Sequence, residues 1–146
     1  MAASVLFFGT LILTGTFSSC AKPDHSADAP KEQLVLGTWM INRIQLRIYN
    51  NNVFQKDTIV PNKALPKNFV QFDANTNFQY CYNSATIKSG TYQFKGADSV
   101  ISTTPSTTYR WKMLTLTDVL FTVMSTSTND PAFPGAKVET YQTWVR

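Results

Sequence analysis

Residues 36–49 read LGTWMINRIQLRIY, and this stretch decides the fold class. In its second half Ile44, Leu46 and Ile48 take alternate positions, and polar side chains take the positions between them. Side chains of a β-strand point to opposite faces in turn, so this spacing is typical of a strand with one buried face. The stretch therefore predicts a long strand whose apolar side packs against a core.

The same alternation recurs to the end of the chain, in short runs separated by turn-forming residues. Further strands are predicted at residues 53–60, 69–72, 78–82, 89–94, 99–104, 107–116, 119–126 and 138–146. Asn at residues 50–52 tolerates positive φ and predicts a turn, and residues 73–77 predict a hairpin. Consecutive strands joined by short turns favour an antiparallel meander of about eight strands. Its apolar face is covered either by closing into an up-and-down barrel or by packing as a sandwich.

The first 33 residues have a different character. Residues 5–17 form an apolar run of signal-peptide length, shorter than the ~20 residues of a membrane-spanning helix. The sequence Phe17-Ser18-Ser19-Cys20 that ends it resembles the lipobox of bacterial lipoproteins. That resemblance implies cleavage before Cys20, a lipid on its thiol and anchoring to the outer membrane of the cell envelope. A short uncleaved anchor or a buried strand is the alternative interpretation.

The chain thus divides into a signal peptide at residues 1–19, a lipidated cysteine with a polar tether at 20–33, and a barrel domain at 34–146. The tether contains two prolines and the only histidine, His25. On which side of the membrane the domain lies stays open.

One motif favours the barrel over the sandwich. Gly37-Thr38-Trp39, at the start of the first strand, resembles the Gly-x-Trp signature of lipocalin-like domains. The whole layout resembles the lipocalin-like lipoproteins of Bacteroidetes. The resemblance implies that Gly37 and Trp39 close one end of the barrel and that a late arginine stacks over Trp39. Arg146 is the first candidate by position, and Arg110 is the second.

Composition argues against several classes of function. The net charge is +4 and the basic residues are scattered, which does not suit nucleic-acid binding. With His25 in the tether, no Ser–His or Cys–His pair is available to the domain, and we expect no enzyme activity, cofactor or metal. Five of the six carboxylates in the domain lie in or beside predicted turns: Asp57, Asp73, Asp98, Asp118 and Asp130. Glu139 points outward on the last strand, and Cys81 is interpreted as a small core residue.

Two functions are consistent with these features. In the first, the barrel binds a small hydrophobic ligand. The wall residues would then be Tyr80, Tyr82, Tyr92, Phe94, Tyr109 and Trp111. In the second, the same aromatic side chains fill a closed core. The protein is then a structural lipoprotein that contacts a protein or glycan partner through residues 50–52 or 127–137.

Overall fold

The computed structural model describes residues 29–60, 68–81 and 87–146, which form one short helix and nine β-strands. The elements are α1 (Lys31–Leu34), β1 (Gly37–Asn50), β2 (Val53–Val60), β3 (Phe69–Phe72), β4 (Asn77–Cys81), β5 (Lys88–Lys95), β6 (Ser99–Thr103), β7 (Thr108–Leu116), β8 (Leu120–Ser127) and β9 (Lys137–Val145). The all-β class that the alternation predicts is confirmed. Among these residues no helix has the length and apolar character needed to cross a bilayer.

The strands form a single antiparallel sheet that closes on itself. From β3 to β9 each strand pairs with the next one along the chain, and β9 pairs with β1 from Met40↔Val145 to Tyr49↔Lys137. The result is an eight-stranded up-and-down barrel, with β2 as one extra strand. The predicted barrel is confirmed, and the sandwich alternative is wrong.

In a simple meander β2 would lie between β1 and β3 and pair with both, but in the part of the chain that the structure describes it pairs with β1 alone. It pairs with residues 44–50 of β1, whereas residues 37–40 of β1 pair with β3 along the same edge. Strand β1 has 14 residues and β3 has four, so β1 extends past β3 and leaves an edge that β2 covers. The connecting turn has φ of 49° at Asn51 and 63° at Asn52, the conformation that these asparagines predict.

The core lies inside the barrel and consists mainly of aromatic side chains. The largest are at most 1% exposed: Trp39, Phe72, Phe78, Phe121 and Trp144. Their ring centroids lie 4.9–6.3 Å apart in mostly edge-on or tilted contacts, the spacing at which aromatic rings attract each other. Trp144, which the sequence analysis did not single out, contacts Phe72, Trp111 and Phe121.

Gly90 lets two strands approach closely beside this core. It lies opposite Phe78 in the β4–β5 ladder. A Cβ atom at Gly90 would lie 1.8 Å from the carbonyl oxygen of Thr103, so any side chain would force β5 and β6 apart.

Helix α1 begins inside the segment that the sequence assigns to the tether. Pro30 precedes it with φ of −55°, the angle that suits a helix start, and residues 31–33 are helical. Leu34 and Val35 are 9% and 0% exposed, so the end of the helix is held against the barrel. The Lys31 Nζ atom donates a hydrogen bond to the carbonyl of Gly96. Residues 31–33, which the sequence assigns to the tether, therefore form part of a helix that packs on the barrel.

Candidate ligand-binding site

The two ends of the barrel differ, and one is sealed. Arg146 lies over Trp39, with 4.0 Å between its guanidinium carbon and the ring centroid. Its Nη2 atom donates to the carbonyls of Leu34, at 2.8 Å, and Leu36. Gly37, with φ of +111°, brings the chain past this guanidinium in a conformation that other residues rarely adopt. We call this the closed end.

The structure places Arg146, and not Arg110, over Trp39. Arg110 is exposed on the outer face of β7. Trp39 is itself 0% exposed, and its indole Nε1 donates to the carbonyl of Val35 at 2.7 Å. The segment after α1 is thereby fixed across the closed end.

Toward the opposite end, five inward-pointing side chains remain partly exposed, although Ile48 and Val138 beyond two of them are 5% and 0% exposed. The five occupy the same faces of their strands as the buried core residues, yet solvent reaches them. We call this set the upper cup: Leu46, Tyr80, Tyr109, Ser125 and Thr140. Register places Ser125 and Thr140 opposite each other, and Thr140 opposite Leu46. The side chains of the lower part of the barrel are therefore fully buried, and those at these five positions keep part of their surface exposed.

Three of the predicted wall residues meet in this region. The rings of Tyr80 and Tyr109 lie 5.3 Å apart, and Tyr109 stacks on Trp111 at 5.1 Å with an interplanar angle of 15°. Trp111 is 3% exposed, so it belongs to the floor. Trp111 contacts Trp144 edge-on, and the Trp144 indole donates a hydrogen bond at 3.0 Å to Oε1 of Gln142, which is also buried. Aromatic surface with a few hydroxyl and amide groups suits a small, largely apolar ligand.

Tyr92 and Phe94 lie elsewhere, on the flank of the closed end. Their rings are 5.9 Å apart, and they line a cavity of about 380 Å³ together with Leu36 and Glu32. The Tyr92 hydroxyl donates to the carbonyl of Asp73 at 2.9 Å, and burial raises the pKa of this tyrosine. Of the five predicted wall residues that the structure describes, Tyr92 and Phe94 therefore lie apart from Tyr80, Tyr109 and Trp111. Tyr82 and the predicted lipidation site Cys20 lie outside the described residues.

Sequence reasoning missed three members of the upper cup, namely Leu46, Ser125 and Thr140, as binding residues. A usable signal was present, because alternation along β1, β8 and β9 puts each on the inward face. Ser and Thr at such positions are more polar than a filled core requires. Selecting aromatic residues alone overlooked the polar side of the cup.

One interior hydroxyl lies below the cup without a partner. Ser102 is 0% exposed, and within the described part of the chain its Oγ atom has no hydrogen bond. Its strand neighbours on either side are Tyr92 and Tyr109. A buried hydroxyl without a partner is costly, so native proteins hold few of them.

The carboxylates serve as backbone caps and ion-pair partners. The Asp73 Oδ1 atom accepts from the backbone amides of Asn75 and Asn77 at 2.9 and 2.8 Å, and hydrogen bonds from Asn77 hold the pKa of Asp73 below its usual value. Asp57, by contrast, lies within β2 and not in the turn that the sequence predicts. It pairs with Arg47, with 3.4 Å between Arg47 Nε and Asp57 Oδ1. Among the described residues no group of His, Cys, Asp and Glu converges in the manner of a metal site.

No protein-family model matches the sequence, and no curated protein matches it either. The fold and the geometry of the two barrel ends are therefore the basis on which function is argued.

Proposed function

We propose that the protein is a lipid-anchored, non-catalytic lipocalin-like protein of the cell envelope whose barrel binds a small hydrophobic ligand in the upper cup. The observation that carries this proposal is the contrast between the two ends. Trp39, Phe72, Phe121 and Trp144 near the closed end are at most 1% exposed, while inward-pointing Leu46, Tyr80 and Tyr109 are partly exposed. An interior that opens to solvent over an aromatic floor suits an apolar guest.

The polar groups of the cup define the ligand further. Ser125 and Thr140 supply hydroxyls on one side, and the tyrosine pair Tyr80 and Tyr109 supplies aromatic surface. A ligand with a flat apolar body and one or two polar substituents satisfies both. A strongly charged ligand is not expected to bind, because none of these cup residues carries a charge to pair with it.

A neutral fluorescent probe, N-phenyl-1-naphthylamine, tests the cup. We expect saturable binding to the full chain and loss of binding in Ser125→Trp, whose new ring fills the cup. The matched control is Thr126→Trp, the adjacent residue on the outer face of β8, which leaves binding unchanged. Tyr109→Ala serves as a second variant, and circular dichroism verifies that each variant is folded. Equal binding by both tryptophan variants would place the probe elsewhere and overturn the proposal.

The lipid anchor rests on the Phe17-Ser18-Ser19-Cys20 motif. Helix α1, the first described element, lies at the closed end, so the proposed tether would join the barrel opposite the upper cup. Each buried methylene of an acyl chain contributes about 0.8 kcal/mol, and two or three chains hold a protein on a membrane durably. We expect Cys20→Ser to move the protein from the membrane fraction to the soluble fraction. An unchanged fractionation would argue against lipidation.

A second candidate function, an interaction lipoprotein with a filled barrel, is favoured by a different surface. The turn before β2 and the loop between β8 and β9 meet at a depression of about 430 Å³ lined by Asn50, Gln55 and Phe133. The ring of Phe133 lies 5.7 Å from the Lys56 ammonium. A protein or glycan partner would contact this depression, and Phe133→Ala would weaken its binding. In this alternative the filled barrel of the native chain does not bind the naphthylamine probe.

A further inference from the structure

A second groove lies on the outer face of the barrel, across β5 to β8. It has a volume of about 280 Å³ and is lined by three cationic side chains, Lys95, Arg110 and Lys112. Ser99 and Thr126 add hydroxyls, which donate to Asp98 Oδ1 at 3.2 Å and to the Met124 sulfur at 3.6 Å, and Ile101 and Met124 add apolar surface. This outer groove is separated from the upper cup by the sheet itself, because its charged residues alternate with the inward-pointing ones.

The strand register gathers these cations. Lys95 pairs with Ser99, and Ser99 pairs with Lys112, so the two lysines flank one serine in a row across three strands. Adjacent strands are about 4.8 Å apart, which separates the lysine backbones by about 10 Å. Arg110 is two residues from Lys112 on the same face and lies opposite Ile101. Three long side chains can therefore converge on one bound group above Ser99.

The positive charge of the groove is only partly balanced. Asp98 lies 3.8 Å from the Lys112 ammonium, and both side chains are more than half exposed, so this ion pair is weak. Within the described part of the chain, neither Lys95 nor Arg110 has an ion-pair partner. The nearby Glu139 carboxylate is already bonded by Lys137, Tyr49 and Tyr141.

We propose that the outer groove binds a phosphate group. The three cations alone offer more donors than the Asp98 carboxylate accepts, whereas the oxygens of a phosphate can engage both the arginine fork and the lysines. Ile101 and Met124 contact the less polar part of the ligand that carries the phosphate.

The source that the geometry favours is the headgroup of an anionic phospholipid. The groove ends at Lys95, next to the turn where Gly96 binds Lys31 of α1, so it adjoins the point where the tether joins the barrel. Ala29 lies nine positions after Cys20, and an extended chain of that length reaches about 30 Å. This choice of source rests on the proposed anchor, whereas the phosphate site itself does not.

The test uses the labelled full chain in detergent micelles and follows the Arg110 side chain and the β6–β8 amides by NMR. Titration with inorganic phosphate, at ionic strength matched with sodium chloride, should give saturable shifts confined to the groove. Arg110→Gln should weaken this binding about tenfold or more. Arg43→Gln removes the same charge from the outer face of β1 and should leave it unchanged. The proposed phosphate site is overturned if phosphate gives no saturable shifts, or if Arg110→Gln and Arg43→Gln weaken phosphate binding equally.

Phospholipid nanodiscs separate the possible sources of the phosphate. Groove resonances that shift in phosphatidylglycerol discs, but not in phosphatidylcholine discs, support the lipid headgroup. Shifts with inorganic phosphate alone support the site and overturn the lipid source. A single-stranded oligonucleotide is tested in the same way. If it binds the groove more tightly than inorganic phosphate or the phospholipid discs do, the proposal is overturned in favour of nucleic acid. Naphthylamine binding by Arg110→Gln stays normal in every case, so failure here is distinguishable from failure of the upper cup.

Discussion

Trp39 contacts three residues that are brought together from different parts of the chain. Its indole nitrogen binds the carbonyl of Val35, its ring meets Phe121 at 5.5 Å between centroids, and Arg146 covers its outer side. Because Arg146 also binds the carbonyl of Leu34, the two ends of the ordered domain are fixed to each other through this tryptophan.

We expect Trp39→Ala to lower the free energy of unfolding by about 3–5 kcal/mol. The substitution leaves a cavity, and the surrounding side chains cannot move far enough to fill it. Trp39→Phe keeps part of the ring contacts but leaves the Val35 carbonyl without its donor, so its cost should be smaller. Urea denaturation of both variants measures the difference. A change below about 1 kcal/mol in the alanine variant would show that Trp39 does not hold the closed end.

At the scale of the strand, β1 and β9 carry a polar network on their outer face. The Glu139 carboxylate accepts hydrogen bonds from Tyr49 at 3.1 Å and Tyr141 at 2.9 Å, and it pairs with Lys137 at 2.8 Å. Arg47 lies 4.8 Å above the Tyr141 ring. The hydrogen bond from Lys137, followed by those from the tyrosines, holds the pKa of Glu139 below its usual value. The network therefore stabilises the barrel seam most when Glu139 is ionised.

This network predicts a pH dependence of known sign. A carboxylate with a lowered folded pKa contributes stability above its unfolded pKa, near 4.5, and loses that contribution as the pH falls through the folded value. Glu139→Gln should be less stable than the native chain at pH ~7. The difference in stability between the two proteins should shrink as the pH falls below about 4.5, since only the native chain has a carboxylate at residue 139 that is neutralised in this range. Urea midpoints measured across this range check it, and a gap that is constant with pH would contradict it.

Alternation along each strand predicted which side chains point inward, and the inward positions of Tyr109 and Trp111 on β7 are confirmed. It could not predict their height in the barrel, because height depends on strand register and tilt, which are set by long-range pairing. Tyr92 and Phe94 therefore lie near the closed end and apart from Tyr80. The same limit hid Trp144, whose central place follows from pairing with Phe121 and Ile41.

Taken as a whole, the molecule is a closed barrel with one additional strand, β2, which within residues 29–60, 68–81 and 87–146 pairs along only one of its edges. The seam pairs β1 with β9 over most of their length, and β9 also pairs with β8. Strand β2 has a different environment: in the described sheet it pairs with β1 alone. Val53, Phe54 and Ile59 on β2 are 52–62% exposed. Opening β2 therefore exposes little additional apolar surface, whereas opening β9 breaks the closed barrel.

Native-state hydrogen exchange should separate these two regions. We expect β2 amides that bond to β1 to exchange by local opening about a hundredfold faster than β9 amides, which need global unfolding. Phe54→Ala removes the contact with Tyr49, 5.9 Å between centroids, and should speed exchange in β2 while leaving β9 unchanged. If β2 and β9 amides instead showed the same exchange free energy and the same denaturant dependence, β2 would belong to the cooperative barrel. Its free edge would then need a covering partner that the described residues do not supply.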